Sequence, residues 1–208
     1  MFRGWSSKVL LVSFLTVVLG IAVGIGVYAG TLIYGMGGTF PNLDPNATTL
    51  TEVSRITLHI VEPLVFEPQL GTFEPALATS WSVNEDASEY TFELRRGVTF
   101  SDGTPFNAAA VKFTFDRIVD PKTKSQTAFS LIGPYAGTEI INDYEVKVKF
   151  SSPFAAFMDS VASPCLGIIS PTAFQRIGAA NWGVTALVGT GPFQAFDSGF
   201  AHGSRKCA

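Results

Sequence analysis

The sequence is poor in charged residues. Only 15% of its 208 residues are Asp, Glu, Lys or Arg, whereas soluble domains carry about a quarter. Hydrophobic residues make up 47% of the chain. Disorder requires few apolar residues and a high net charge, so this composition excludes it for most of the sequence. The length allows one or two domains with a substantial core.

Cysteines are also few, and basic residues do not cluster. The two cysteines, Cys165 and Cys207, cannot make a disulfide framework. We expect Cys165 to be a small buried residue and Cys207 to be incidental. With Arg3 and Lys8 set aside, 12 of the 14 basic residues remain, scattered among 17 acidic ones. A phosphate backbone needs a basic stripe, so the sequence excludes nucleic acid as a partner.

Long apolar runs are absent except for one, residues 9–28, which contains no charge. As a helix it is just long enough to cross a hydrocarbon core of about 30 Å, so a protein with several spans is excluded. Arg3 and Lys8 precede the run, which predicts a cytoplasmic amino terminus and an extracytoplasmic remainder. Residues 1–29 are therefore a signal peptide or a membrane anchor. The length of the run slightly favours the anchor.

Recognisable catalytic and metal-binding motifs are missing. The sequence contains no HExxH, GxSxG, CxxC or Walker loop. Its two histidines, His59 and His202, are far apart, and we expect His59 to be a packed or surface residue. The sequence predicts a protein that is not an enzyme and has no cofactor or metal. A hydrolase is a distant alternative, because no nucleophile is paired with a base.

The remaining pattern is typical of an α+β fold. Apolar residues alternate at 89–94 and 145–150, which predicts half-buried strands, and residues 98–100 are expected to resume the first of them. The second strand is expected to form a hairpin with residues 139–141. Asn107 is a predicted N-cap for a helix over 108–119, which Asp120-Pro121 ends. A further helix is predicted over 51–60, and a short buried strand over 31–34.

Two serine-proline pairs carry the same helix-start signal. Ser152-Pro153 and Ser170-Pro171 each place a capping hydroxyl before a proline at the first helical position. We therefore expect a helix to begin at each pair. Between the predicted strand at 31–34 and the predicted helix at 51–60, the loop at 41–45 is rich in turn residues.

Several segments resemble a known family in the order in which that family has them. They are LIYGMGG with NLDP at 32–45, EPALATSW at 74–81, YTFELRRGVTFSDGTPF at 90–106, SSPF at 151–154 and VGTGPF at 188–193. The resemblance is to the extracytoplasmic solute-binding proteins of family 5, the peptide-, oligopeptide- and nickel-binding receptors of ABC importers. It covers about residues 31–194.

The resemblance implies an α/β two-lobed fold like that of class II periplasmic binding proteins. Residues 30–60 would begin lobe I, residues 61–180 would form an inserted α+β subdomain, and residues 181–194 would return to lobe I. The tail at 195–208 is unlike the family. We therefore expect a truncated chain whose second lobe is absent.

The implied function is that of the substrate-binding component of a peptide importer, which delivers a peptide or similar small solute to an ABC permease. Thr48, Thr49 and Thr51 are the predicted ligand-binding residues, because their hydroxyls could bond a peptide backbone. A solvated threonine-rich loop is the alternative interpretation of these residues. Without a second lobe we expect impaired ligand binding. The alternative function is a membrane-tethered protein-interaction module without solute binding.

The sequence departs from the family pattern at two further points. Pro63 replaces the usual glycine, and the stretch from Asn107 to Ala110 lacks the acids that family members commonly carry there.

Overall fold

The computed structural model describes residues 42–47, 51–196 and 206–207. The apolar segment 9–28, the predicted strand 31–34 and His202 lie outside these residues. Among the helices within the described ranges, none is long and apolar enough to cross a membrane. The described residues all belong to one compact unit, residues 32–208.

Helices and short strands are interspersed along this unit, which confirms the predicted α+β class. The helices are α1 (Thr51–Thr57), α2 (Ala108–Val119), α3 (Thr127–Ile132), α4 (Phe157–Val161) and α5 (Pro171–Ile177). Single 3₁₀ turns lie at Pro121–Thr123 and Pro164–Leu166. The strands are β1 (Val65–Gln69), β2 (Thr72–Pro75), β3 (Ala78–Val83), β4 (Glu89–Leu94), β5 (Tyr135–Asn142), β6 (Glu145–Phe150), β7 (Ala186–Leu187), β8 (Ala195–Phe196) and β9 (Lys206–Cys207).

Four antiparallel strands form the main sheet in the order β3-β4-β6-β5. The predicted bounds of β4 and β6 are confirmed, and so is the hairpin that joins β5 to β6. In that hairpin the side-chain oxygen of Asn142 accepts a hydrogen bond from the Tyr144 N–H. Strand β5 starts at Tyr135, four residues before its predicted start, and irregular pairing near both its ends weakens its alternation. A second sheet joins β7, β8 and β9, and β1 pairs with β2 alone.

The core is aromatic and centres on Phe157 of α4, which is fully buried. Its ring contacts four other rings edge-on, at centroid distances between 4.7 and 6.3 Å: Tyr90, Phe92, Phe115 and Phe150. These residues come from β4, β6 and α2. The Phe157 side chain therefore connects α4 to the main sheet and to α2. Such edge-to-face contacts are each worth about 0.5–1.5 kcal/mol beyond the area they bury.

Helix α2 has the predicted bounds and cap. The Asn107 side chain accepts a hydrogen bond from the Ala110 N–H, and the chain leaves the helix at Asp120. The predicted inner face is buried: Val111, Phe115 and Ile118. This face lies across β5 and β6.

The prediction for α1 was wrong at its carboxyl end, because the helix stops at Thr57 and not at residue 60. The carbonyls of His59 and Ile60 accept hydrogen bonds from the N–H groups of Phe193 and Gly191, respectively. These backbone groups therefore pair with a distant segment, and residues 58–60 form turns.

The prediction that a helix begins at Ser152-Pro153 was also wrong, since both residues are exposed and α4 begins at Phe157. The backbone of Phe154 is tied elsewhere. Its N–H donates to the Ala87 carbonyl, and its carbonyl accepts from the Tyr90 hydroxyl at 3.0 Å. In contrast, Ser170 caps α5 by accepting from the Ala173 N–H at 3.0 Å, as predicted.

The strand expected at 98–100 reduces to one isolated bridge between Thr99 and Pro105. The turn at Asp102 brings the chain back before a second pair can form. Here the Phe100 N–H donates to the Thr104 carbonyl, and the Gly103 N–H donates to the Phe100 carbonyl.

Candidate functional site

The three predicted ligand-binding threonines fall in a short segment between the loop 42–47 and α1. Thr48 and Thr49 lie outside the described residues, and Thr51 is the first residue of α1. Their ligand contacts stay a prediction. The described residues on either side of them, the loop 42–47 and α1, are both held by contacts with the rest of the fold.

The loop before the threonines is fixed by a buried ion pair. Arg117, in the last turn of α2, donates from Nη1 to Asp44 Oδ1 at 3.1 Å and from Nη2 to Asp44 Oδ2. The arginine and aspartate side chains are only 9% and 4% exposed. Two parallel hydrogen bonds between a guanidinium and a carboxylate fix both distance and orientation. The pair therefore fixes the loop against the end of α2.

Asn46 extends this contact to the opposite side of the loop. Its side-chain oxygen accepts a second hydrogen bond from Arg117 Nη1 at 3.1 Å, while its amide nitrogen donates to the Cys165 carbonyl at 2.9 Å. Asn46 is fully buried. The loop backbone pairs as well, since the Leu43 N–H donates to the Gly183 carbonyl at 2.7 Å.

On the far side of the threonines, α1 packs against the same 3₁₀ turn that Asn46 reaches. Val53 is fully buried, and Ser54 Oγ lies 3.6 Å from Cys165 Sγ. The buried thiol of Cys165, predicted from the sequence, is confirmed. The threonine segment therefore runs between two anchored ends, both of which contact the turn at Pro164–Leu166.

Sequence reasoning missed Arg117. The position of Arg117 in α2 could have indicated that its side chain is buried, because it lies between Thr114 and Ile118, which are both buried. A cation beside the buried face of an amphipathic helix requires a partner, because an unpaired buried charge is costly. The partner Asp44 is 73 residues away, and no local pattern links the two.

The motif at 90–106 contributes two residues, Asp102 and Thr104, to a second polar cluster. Asp102 accepts hydrogen bonds from the Thr104 hydroxyl at 2.6 Å, from the Thr104 N–H at 3.0 Å and from the Ser170 hydroxyl at 2.8 Å. Burial by itself would raise the pKa of Asp102, but these hydrogen bonds outweigh it and lower that pKa. The cluster joins the 101–104 turn to the start of α5.

A chain reversal at 189–193 packs against this turn. The Ser101 N–H donates to the Gly189 carbonyl, and the Gln194 amide donates to the Ser101 carbonyl. A Cβ at Gly189 would lie 2.0 Å from the Ile60 carbonyl oxygen. The motif residues at this turn and reversal therefore define the fold through close backbone contact.

No catalytic arrangement emerges among the described residues. His59 is exposed, and its ring lies edge-on to Phe193 at 6.1 Å. Within the described ranges, no group of three or more His, Cys, Asp or Glu side chains is placed to hold a metal ion.

Comparison with known proteins gives one family. A model described as bacterial extracellular solute-binding proteins, family 5 middle, matches residues 72–198. Among curated proteins, the glutathione-binding protein GsiB of Escherichia coli (strain K12) is 34% identical over 166 residues. That alignment covers 80% of this chain and 32% of the relative, so the chain spans about a third of the length of the curated relatives it matches.

Solved structures of binding proteins from ABC transporters are similar to this chain. The substrate-binding domain of an oligopeptide ABC transporter from Bacillus anthracis str. Ames superposes with a TM-score of 0.73 at 24% identity, over 82% of this chain and 36% of that one, which shows the shared fold. The periplasmic binding protein DppA from Helicobacter pylori, in complex with the peptide STSA, gives a TM-score of 0.66 at 29% identity, over 78% and 35% of the two chains.

Proposed function

Because this chain belongs to family 5 of the bacterial extracellular solute-binding proteins, we propose that it is part of the substrate-binding component of an ABC importer for peptides. The observation that carries the proposal is the anchoring of the threonine segment. The Asp44–Arg117 pair holds the chain before the segment, and the packing of α1 holds it after. A site that must recognise a ligand requires such support, because loosely held groups lose affinity to ordering.

Peptides are the proposed ligand class. The Escherichia coli relative is a glutathione-binding protein, and the Helicobacter pylori structure holds a peptide. Thr48, Thr49 and Thr51 would each offer a hydroxyl that both donates and accepts, which suits the N–H and C=O groups of a peptide backbone. The solute would pass to a permease in the membrane.

The proposed domain organisation is that of the two-lobed receptors. Residues 30–60 and 181–194 would belong to lobe I, and residues 61–180 to an inserted subdomain. Residues 1–29 would export the chain as a signal peptide or keep it at the outer face of the membrane as an anchor. The family's description as extracellular supports this location.

This chain alone would form one wall of the peptide site. Two-lobed receptors desolvate a ligand between two surfaces that close on it. The relatives are about three times as long as the matched part of this chain, and we propose that their remaining length supplies the second wall. The polypeptide of residues 30–208 would then show no measurable affinity for peptides.

A chimera tests the proposal. Residues 42–194 replace the matching part of the Escherichia coli glutathione-binding protein, and glutathione binding is measured by calorimetry. Thr48→Ala, Thr49→Ala and Thr51→Ala together are expected to weaken binding roughly tenfold, the effect of losing one or two hydrogen bonds. Thr72→Ala and Thr172→Ala, at exposed positions on β2 and α5, are the matched controls. A folded chimera that binds equally well with and without the three threonines would contradict their assignment.

A further inference from the structure

We propose that an open cavity beside the loop 42–47 binds a free α-amino acid with an apolar side chain. The cavity has a volume of about 430 Å³ and lies between the loop, the end of α2 and α5. Six of its lining residues carry the argument: Phe113, Asp116, Arg117, Asp120, Phe174 and Trp182. The proposal stands apart from the peptide function, since it uses none of the three threonines.

The walls offer an aromatic surface of suitable size. Phe113 and Phe174 lie 5.5 Å apart, and Trp182 meets Phe174 at 5.4 Å, so the three rings are contiguous. Phe113 and Phe174 are only half-buried, which leaves ring surface for a ligand to cover. Binding sites for small molecules typically combine an apolar lining of this kind with a few polar groups, in volumes of about 300–1,000 Å³.

Two buried N–H donors in the wall have no acceptor among the described residues. They are Arg117 Nε and Trp182 Nε1. The Arg117 side chain is 9% exposed and Trp182 is 2% exposed. The Phe174 ring lies against both, 4.6 Å from the arginine Cζ and 5.4 Å from the indole centroid. A ring is at most a weak acceptor, so either donor would gain a full hydrogen bond from a ligand oxygen that reaches it alongside the Phe174 ring. A carboxylate supplies such oxygens.

Besides Asp44, which pairs with Arg117, two carboxylates and one ammonium group, that of Lys122, lie in the same lining. The Asp116 side chain is 44% exposed and shares its oxygens between Lys112 and the Tyr135 hydroxyl. Asp120 is exposed, and one of its oxygens accepts from the Lys122 N–H at 2.9 Å. Because Arg117 is already neutralised by Asp44, a ligand with an ammonium group is favoured over a simple anion.

These features together select a compact zwitterion. The donors match a carboxylate, the acids match an ammonium, and the rings match an apolar side chain. An α-amino acid such as L-phenylalanine has all three. With about a dozen non-hydrogen atoms it would bind with a dissociation constant on the order of 1 mM.

The test uses the full chain in mild detergent and follows its indole N–H signals by NMR. The chain has three tryptophans, Trp5, Trp81 and Trp182, and the Trp182 signal is the one that Trp182→Phe removes. The probes are L-phenylalanine, phenethylamine, which lacks the carboxylate, and 3-phenylpropionate, which lacks the amine. Saturable movement of the Trp182 signal is expected with L-phenylalanine, and roughly tenfold weaker binding with either analogue.

Variants separate the two polar contacts. Asp120→Asn should weaken L-phenylalanine and phenethylamine about equally and leave 3-phenylpropionate unchanged, while Glu85→Gln, at an exposed turn, should affect none of them. Because Asp120 is exposed, its variant stays informative even if Trp182→Phe fails to fold. A Trp182 signal that no probe moves would mean that the cavity binds none of them, and a signal that all three move equally would mean that it recognises only the phenyl ring. Either result would overturn the proposal. The result does not depend on whether the chimera binds glutathione.

Discussion

Arg117 and Asp44, which are 73 residues apart in the sequence, form a buried, bidentate ion pair. The arginine closes the last turn of α2, and the aspartate lies at the centre of the loop 42–47. Asn46 shares the same guanidinium and reaches the Cys165 carbonyl. One cation therefore joins the loop before the proposed binding segment both to a long helix and, through Asn46, to the turn on which α1 rests.

Arg117→Met is expected to lower the free energy of unfolding by about 3–5 kcal/mol, because it leaves the Asp44 carboxylate buried without a partner. Urea denaturation of the variant beside the parent chain measures the difference. The double variant Asp44→Asn with Arg117→Met should lose less than the two single variants combined, since it removes both charges. A loss below about 1 kcal/mol for Arg117→Met would show that the pair does not fix the loop.

The two serine-proline pairs give a matched test of helix capping. Ser170→Ala removes the acceptor for the Ala173 N–H and the hydroxyl that donates to Asp102. It should destabilise the chain by about 1–2 kcal/mol. Ser152→Ala changes an exposed serine that caps no helix. The urea concentration at the midpoint of unfolding should be the same for this variant as for the parent chain. Equal effects at the two positions would contradict the capping role of Ser170.

Asp102 should make stability depend on pH in the acid range. Its folded-state pKa is lowered below the ordinary value of 3.8. Its contribution is therefore fully present above that value and is lost as the pH falls through the lower folded-state pKa. The free energies of unfolding of the parent and of Asp102→Asn should differ by a constant amount between about pH 5 and 7 and converge as the pH falls below the ordinary value. A difference that persists unchanged at low pH would contradict this account.

Gly189→Ala should destabilise the chain by roughly 3 kcal/mol, because the new Cβ would meet the Ile60 carbonyl oxygen at 2.0 Å. The position of the Cβ is fixed by the backbone and the carbonyl oxygen is a backbone atom, so the reversal at 189–193 would have to move. Gly97→Asn is the control: its φ of +75° suits asparagine, and a Cβ there meets nothing within 4 Å. Thermal unfolding should distinguish the two variants clearly. Similar losses would show that the contact at Gly189 can relax.

Elements with strong local signals could be predicted from the sequence. Helix α2 has an asparagine cap at one end and Asp120-Pro121 at the other, and β4 and β6 alternate along their whole length. In β1 and β2 most residues are exposed, so no apolar alternation marks them. The two serine-proline pairs carry the same local signal, but at Ser152 the backbone contacts of Phe154 decide the outcome.

The candidate site was predictable only in part. A resemblance carried by five motifs indicated the family, and two of them, at 90–106 and 188–193, pack against each other through backbone hydrogen bonds. Arg117, Asp44 and Asn46 come together only through tertiary structure, and the aromatic cavity joins residues from α2, α5 and the loop. Periodicity describes one element at a time, so contacts between distant elements lie beyond it.

We propose that this chain forms one wall of a peptide-binding site. The most direct test of this proposal is a pair of calorimetric titrations with glutathione, one of residues 30–208 and one of the chimera with the Escherichia coli relative. Saturable heat from the chimera and none from residues 30–208 is the predicted result. Micromolar binding by residues 30–208, or a folded chimera without affinity, would contradict it.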